Sequence, residues 1–208
     1  MRYLFALIII LILGGCTGKK ERTMNEEKIN LMVLAPGHFH ASLVQKTMYP
    51  GIDSTAYVYA PKGMEVEDYL ERVQSYNDRD VDPTGWKPET YLGDDFLAKM
   101  LKEKPGDLVV LAGNNKNKTE YIAECIDAGL DVYSDKPMAI DTGDFNLLKA
   151  TLHKAKIQDL LVYDIMTERF EITTILQKRL SENEEVFGGM VDGPPAEPSI
   201  TRASVHPF

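Results

Sequence analysis

From Ile29 onward, short apolar runs alternate with stretches in which apolar residues recur every three or four positions. The short runs read as strands buried on both faces and the periodic stretches as amphipathic helices. The runs Ile29–Ala35, Thr55–Ala60, Leu108–Ala112, Asp131–Ser134 and Leu160–Tyr163 are the expected strands. The segments Ala41–Met48, Val66–Gln74, Asp94–Lys102, Lys118–Ala128, Asp144–Lys156 and Glu168–Leu180 are the expected helices. Strand and helix in alternation predict an α/β fold, a doubly wound parallel sheet whose right-handed crossovers place helices on both faces. One stretch breaks the rhythm. Tyr76–Tyr91 holds Pro83, Gly85, Trp86 and Pro88 among acids, and reads as an irregular surface loop packed by its lone Trp. A use of that loop as an adhesive surface is the alternative.

The N-terminus differs from all that follows. Arg2 precedes an unbroken apolar run from Leu4 to Leu13, then Gly14, Gly15 and Cys16. The run is shorter than the roughly 20 residues a membrane-spanning helix needs, and fits the apolar core of a secretory signal. Leu13-Gly14-Gly15-Cys16 resembles the bacterial lipobox, in which the cysteine is lipidated and becomes the first mature residue. The expected layout is a signal peptide over 1–15, a polar tether over 16–28 and a domain over 29–182. Lipidation at Cys16 then makes the protein membrane-anchored and extracytoplasmic. The other cysteine, Cys125, shares a helical face with Tyr121, Ile122, Ile126 and Leu130, and is expected in the core.

Composition narrows the partners. The chain has 208 residues, 44% hydrophobic and 26% charged, enough for one sizeable core. A net charge of -9 with scattered basic residues excludes a nucleic-acid partner.

In an open parallel sheet, ligands bind beyond the carboxyl ends of the strands. After the first strand comes Ala35-Pro36-Gly37-His38-Phe39-His40, where a dinucleotide fold carries G-x-G-x-x-G. Only the central glycine, Gly37, is kept, the one that lets backbone approach a pyrophosphate. His38 and His40 could share an ion, but no neighbouring carboxylate or cysteine completes a set, so no metal is expected. These histidines read as turn-forming or ligand-contacting residues.

Further along, Ala112-Gly113-Asn114-Asn115-Lys116-Asn117-Lys118 is followed by Ala128-Gly129-Leu130-Asp131-Val132 and then Asp135-Lys136-Pro137. This stretch resembles the A-T-P-N-x-x-H, A-G-x-x-V and E-K-P sequence of the glucose-fructose oxidoreductase / inositol dehydrogenase (Gfo/Idh/MocA) family, in unbroken register. Thr167-Glu168-Arg169-Phe170 and Val186-Phe187-Gly188 resemble the family's exit from its nucleotide domain. The resemblance implies an NAD(P)-binding Rossmann-type domain with NAD or NADP as cofactor. Pro36, Gly37, His38, Phe39, His40, Asn114, Asn115, Asp135, Lys136 and Pro137 would bind the cofactor, and Lys136 would assist proton transfer as a catalytic residue. Gly129 suits the left-handed turn that ends a helix. Departures are Ala35 and His40 for the first and third glycines, Lys118 for the motif's His and Asp135 for its Glu. No carboxylate follows the second strand in Tyr59-Ala60-Pro61-Lys62, so NAD and NADP are not told apart.

By the same resemblance, 183–208 would be only the start of a second α+β domain, and the expected activity is oxidoreduction of a sugar or sugar-like polyol. An exported enzyme of this kind could keep NAD tightly bound and regenerate it within one cycle. The carbohydrate is then the small-molecule partner, beside the membrane reached through the lipid, and a homo-oligomer is compatible with this reading. The alternative is a non-catalytic, lipid-anchored sugar- or partner-binding module that retains the fold.

Overall fold

The computed structural model describes residues 28–165, 170–189, 193–194 and 196–197. The signal peptide, Cys16 and most of the tether therefore lie outside the described residues, as do Thr167, Glu168 and Arg169 of the exit segment. Among the described residues, six strands form one parallel sheet: β1 (Ile29–Leu34), β2 (Ile52–Ala60), β3 (Lys87–Leu92), β4 (Leu108–Leu111), β5 (Asp131–Ser134) and β6 (Val162–Asp164). Their order is β3-β2-β1-β4-β5-β6, the doubly wound arrangement expected from the alternating pattern. The chain moves outward from β1 through β2 to β3, then returns to pair β4 with the other side of β1. The topological switch point thus falls between β1 and β4.

Side-chain alternation along β1 explains why its sequence reads as a continuous apolar run. Leu31 and Val33 enter one core with Val58, Val66, Tyr69, Val73, Trp86 and Val110. Met32 and Leu34 enter the opposite core with Val109, Leu111, Ile122, Cys125, Ile126 and Val132. Successive side chains face opposite ways, so a strand covered by helices on both faces has no polar side. Helix α2 (Met64–Asn77) buries Val66, Tyr69 and Val73, and α4 (Lys118–Asp127) buries Ile122, Cys125 and Ile126. Burial pushes the Cys125 thiol up to about 12, so it is a packing residue. Gly129 ends α4 at φ 79°, with Leu130 N–H donating to the Cys125 carbonyl; the expected left-handed turn is present. Helices α3 (Phe96–Glu103) and α5 (Thr142–Ile157) complete the layers. Asp141 caps α5, its carboxylate accepting from Asp144 N–H at 2.8 Å. Beyond β6, α6 (Ile172–Ser181) and α7 (Glu184–Phe187) bury no side chain.

Two expectations are corrected. Tyr76–Tyr91 is not wholly irregular, because Lys87–Leu92 pairs in register with Thr55–Ala60 as edge strand β3. Its Lys, Pro and Glu hid it, yet these are residues an edge strand tolerates, since one side of its ladder faces solvent. The turn before it is braced by Asn77, which donates to the Trp86 carbonyl and accepts from Trp86 N–H and the Thr84 hydroxyl. Trp86 is 3% exposed, so the loop does not offer it as an adhesive surface. The second correction concerns Ala41–Met48, of which only α1 (His40–Leu43) is helical. Pro50 disfavours helix in the residue before it, and the chain must reverse at once to enter β2 at Ile52. Among the described residues no helix is long and apolar enough to cross a membrane.

Trp86→Ala should cost about 3–5 kcal/mol in urea unfolding, as for other buried aromatics cut to alanine. Far-UV circular dichroism is the probe, because Trp86 is the only tryptophan. A loss below about 0.5 kcal/mol would mean that the Trp86 turn is not packed as described.

Candidate functional site at the carboxyl edge of the sheet

The loops after β1, β4 and β5 meet at the switch point. Ala35 takes the place of the first loop glycine but adopts the left-handed region, φ 43°, so the tight turn is kept at some cost in strain. Gly37 and His38 N–H both donate to the Ala112 carbonyl, at 3.0 and 3.1 Å. Gly113 packs under this loop so closely that a β-carbon would lie 2.2 Å from the Ala35 carbonyl oxygen. The two loops are therefore fastened to each other.

That fastening tips both histidines toward the end of β5. His40 Nδ1 lies 2.8 Å from Asp135 Oδ1, and His38 Nδ1 lies 3.1 Å from Asp135 Oδ2. Lys136 N–H also donates to Asp135 Oδ1, at 2.7 Å. Asp135 and His40 are 2% and 7% exposed, while the His38 side chain is 36% exposed. The rings of His38, Phe39 and His40 pack against one another, with centroids 4.4–4.5 Å apart, and Phe39 stays partly in solvent. Partial burial lowers the His38 pKa, with Asp135 pulling it upward. The expectation that no carboxylate accompanies His38 and His40 does not hold. Asp135 supplies one from 95 residues away, a proximity that only the sheet order creates.

Lys118 is the residue that sequence reasoning passed over, noting it only as a departure from the motif's His. It is fully buried at the start of α4, where its Nζ donates to Asn115 Oδ1 at 2.6 Å and to the Asp135 carbonyl at 3.4 Å. Burial lowers its pKa, opposed by Asp135. The signal was available: a Lys on the buried face of a periodic helix needs partners. Asn114 accepts from Lys116 N–H at 2.9 Å, a local turn. Lys136 and Pro137 are exposed beyond Asp135, and their shared peptide is cis. Thr119 anchors the segment that follows by donating to the Met138 carbonyl at 2.6 Å.

Two hollows of about 230 and 210 Å³ adjoin the β1 loop. The first is lined by Pro36, Pro61, Lys62 and Met64, the second by Leu111, Asn114, Asn117 and Tyr121. Ala35, Pro61 and Glu65 belong to both walls. The Glu65 carboxylate sits against Gly37, 2.9 Å from where a β-carbon would be. It is the carboxylate missing from the sequence after β2, delivered by the first turn of α2. The residues fit a dinucleotide in part. The hollows and Glu65 suit an adenosine and its ribose hydroxyls. The pyrophosphate place is altered, since two of its amides are committed to Ala112 and Glu65 covers Gly37. Glu65 is an exposed side chain, so that cover is removable. His38, His40, Asp135 and Lys136 line neither hollow and stand on the β5 side of the loop.

No family model matches the chain, and no curated protein matches it. Among solved structures, a proposed oxidoreductase from Parabacteroides merdae is 49% identical over 84% of this chain, with a TM-score of 0.79. The chain spans 40% of that protein's length. Myo-inositol 2-dehydrogenase from Lactobacillus plantarum matches at 12% identity and a TM-score of 0.56, over 76% of this chain and 42% of that one. GenD2 from gentamicin A biosynthesis, solved with NAD, matches at 17% identity and 0.54, over 76% and 40%. The last two establish likeness of fold, and with it the Rossmann-type architecture.

Gly113→Ala should destabilise the chain by about 1–3 kcal/mol, because the obstacle is backbone and cannot rotate away. Gly85→Ala, with nothing within 4 Å of the added carbon, should stay within about 0.5 kcal/mol. Equal melting temperatures for the two variants would refute the loop contact.

Proposed function

We propose that this chain is the cofactor-binding domain of an NAD(P)-dependent oxidoreductase of the Gfo/Idh/MocA type, acting on a sugar or sugar-like polyol. The observation that carries the reading is the convergence of Asn115, Lys118, Asp135 and Lys136 at the carboxyl edge of β4 and β5. The 49% identity to the Parabacteroides merdae protein and the fold shared with dehydrogenases support it.

When bound, the nicotinamide supplies hydride transfer to or from a carbinol carbon. Ala35, Pro36, Pro61 and Lys62 would enclose the adenosine, and Glu65 would accept from the ribose hydroxyls. A carboxylate there favours NAD, because the 2′-phosphate of NADP would meet a like charge. Gly37, His38, Phe39, His40 and Asn114 would border the phosphates. The Asn115 carboxamide oxygen is held by Lys118, so its amide N–H group would serve as the donor to a ligand. Lys136 Nζ, exposed next to the held Asp135, would exchange a proton with the substrate hydroxyl, and Pro137 shapes its turn.

The commitment of the Gly37 and His38 amides to Ala112 favours a second reading, a binding module that has given up dinucleotides. Calorimetry decides between them. NADH should bind at micromolar or tighter affinity, about -8 kcal/mol or better, and more tightly than NADPH, with Glu65→Arg reversing the preference. Absence of binding by either nucleotide would reject the oxidoreductase reading and leave the module.

We further propose that the protein is a lipid-anchored, extracytoplasmic lipoprotein. Cys16→Ser should abolish incorporation of labelled fatty acid and move the protein from the membrane to the soluble fraction. Unchanged labelling would refute lipidation at Cys16.

A further inference from the structure

The described residues bring three potential metal ligands to one point: His38, His40 and Asp135, whose ligand atoms all lie within 4.8 Å of one another. We propose that they form a binding site for a divalent transition-metal ion of the zinc or cobalt kind, independent of whether the dinucleotide binds.

The geometry carries the proposal. Both imidazoles aim the same nitrogen, Nδ1, at one carboxylate, at 2.8 and 3.1 Å from its two oxygens. For metal–ligand bonds of about 2.1 Å, neighbouring ligand atoms stand roughly 3.0–3.4 Å apart. A metal ion entering the cluster therefore requires each imidazole to part from the carboxylate by only a few tenths of an ångström, while the two imidazole nitrogens, within 4.8 Å of each other, adjust to the same spacing. Coordination through Nδ1 requires each imidazole to carry its proton on Nε2, and the carboxylate offers an oxygen. The donors are also held in place. Asp135 is fixed by Lys136 N–H on its side chain and by its own N–H on the Leu111 carbonyl at 2.8 Å. The loop bearing both histidines is fastened to Ala112.

Ligand chemistry selects the metal. Two imidazoles and one carboxylate suit borderline ions, whereas magnesium and calcium take oxygen ligands. Three protein ligands, two buried and His38 facing solvent, leave a position open toward the crevice, the pattern of metal sites that bind water or a substrate oxygen. Among the described residues, Lys118 and Lys136 place positive charge against the cluster, so a dication is held against their repulsion. Lys118 commits its Nζ to Asn115 Oδ1 and the Asp135 carbonyl.

The test uses the whole chain, freed of metal by a chelator and titrated with Co²⁺ and Zn²⁺. Calorimetry should show one equivalent bound, Co²⁺ should develop visible ligand-field absorption, and metal should raise the melting temperature. His38→Ala, His40→Ala and Asp135→Asn should each weaken binding on the order of tenfold or more and lose the absorption band. His153→Ala, on exposed positions of α5, should change neither. His38 is the variant least able to disturb folding, since its ring is partly in solvent. Binding absent from the parent chain, or unchanged in His38→Ala and Asp135→Asn variants that melt like the parent, overturns the site. NADH titrated into the same metal-free sample keeps this outcome separate from failure of the cofactor reading.

Discussion

Everything at the carboxyl edge depends on the close approach of two loops across the switch point. The chain leaves β1 toward β2 and leaves β4 toward β5, so in an open doubly wound sheet these loops diverge and leave a crevice. Here the crevice is pinned. The Ala112 carbonyl takes two N–H groups of the β1 loop, and Gly113 allows the Ala35 carbonyl to rest on its α-carbon. Any side chain at position 113 would push the loops apart. The pinning gives the β1 loop its second use, because it turns His38 and His40 across β4 onto the end of β5.

The buried carboxylate of Asp135 is the electrostatic counterpart of that pinning. An ionised group with 2% exposure is tolerated only if its lone pairs are met. Two imidazoles and a backbone N–H meet them. Lys118 Nζ reaches the same residue through its carbonyl, so the buried anion and the buried cation share one hydrogen-bonded network. Removing any member leaves the others short of a partner, and this couples the β1 loop, the start of α4 and the turn bearing Lys136 into one unit.

The sheet was legible because burial on both faces writes itself as apolar runs, and five of its strands follow from that alone. The sixth, β3, escaped because an edge strand is permitted the Lys87, Pro88 and Glu89 that a central one is not. The motif residues after β4 and β5 were legible through their register, Asn115 to Pro137. Asp135 as partner of His38 and His40 was not, since no local pattern reports that β1 and β5 both flank β4. Glu65 was missed for a similar reason: its carboxylate reaches Gly37 from the first turn of α2 and not from the end of β2, where a dinucleotide fold carries its acid. Lys118 stood in plain view at a buried helical position, and its cost in desolvation was the clue.

A dinucleotide fold ordinarily attracts phosphate with free amides and the dipole of a full helix. This chain has less of each. Its α1 is a single turn of four residues, two loop amides are spent on Ala112, and Glu65 adds a negative charge against Gly37. On the proposed reading, cofactor affinity would come from the ends of the dinucleotide, the hollow beside Pro36 and Lys62 on one side and Asn115 with Lys136 on the other. The phosphates in the middle would contribute less than in a glycine-rich loop. A dication on His38, His40 and Asp135 would restore positive potential at the same loop that lost it, which joins two departures from the glycine motif in one physical account. His40, which stands where the glycine motif has its third glycine, is also the residue that would supply a buried ligand.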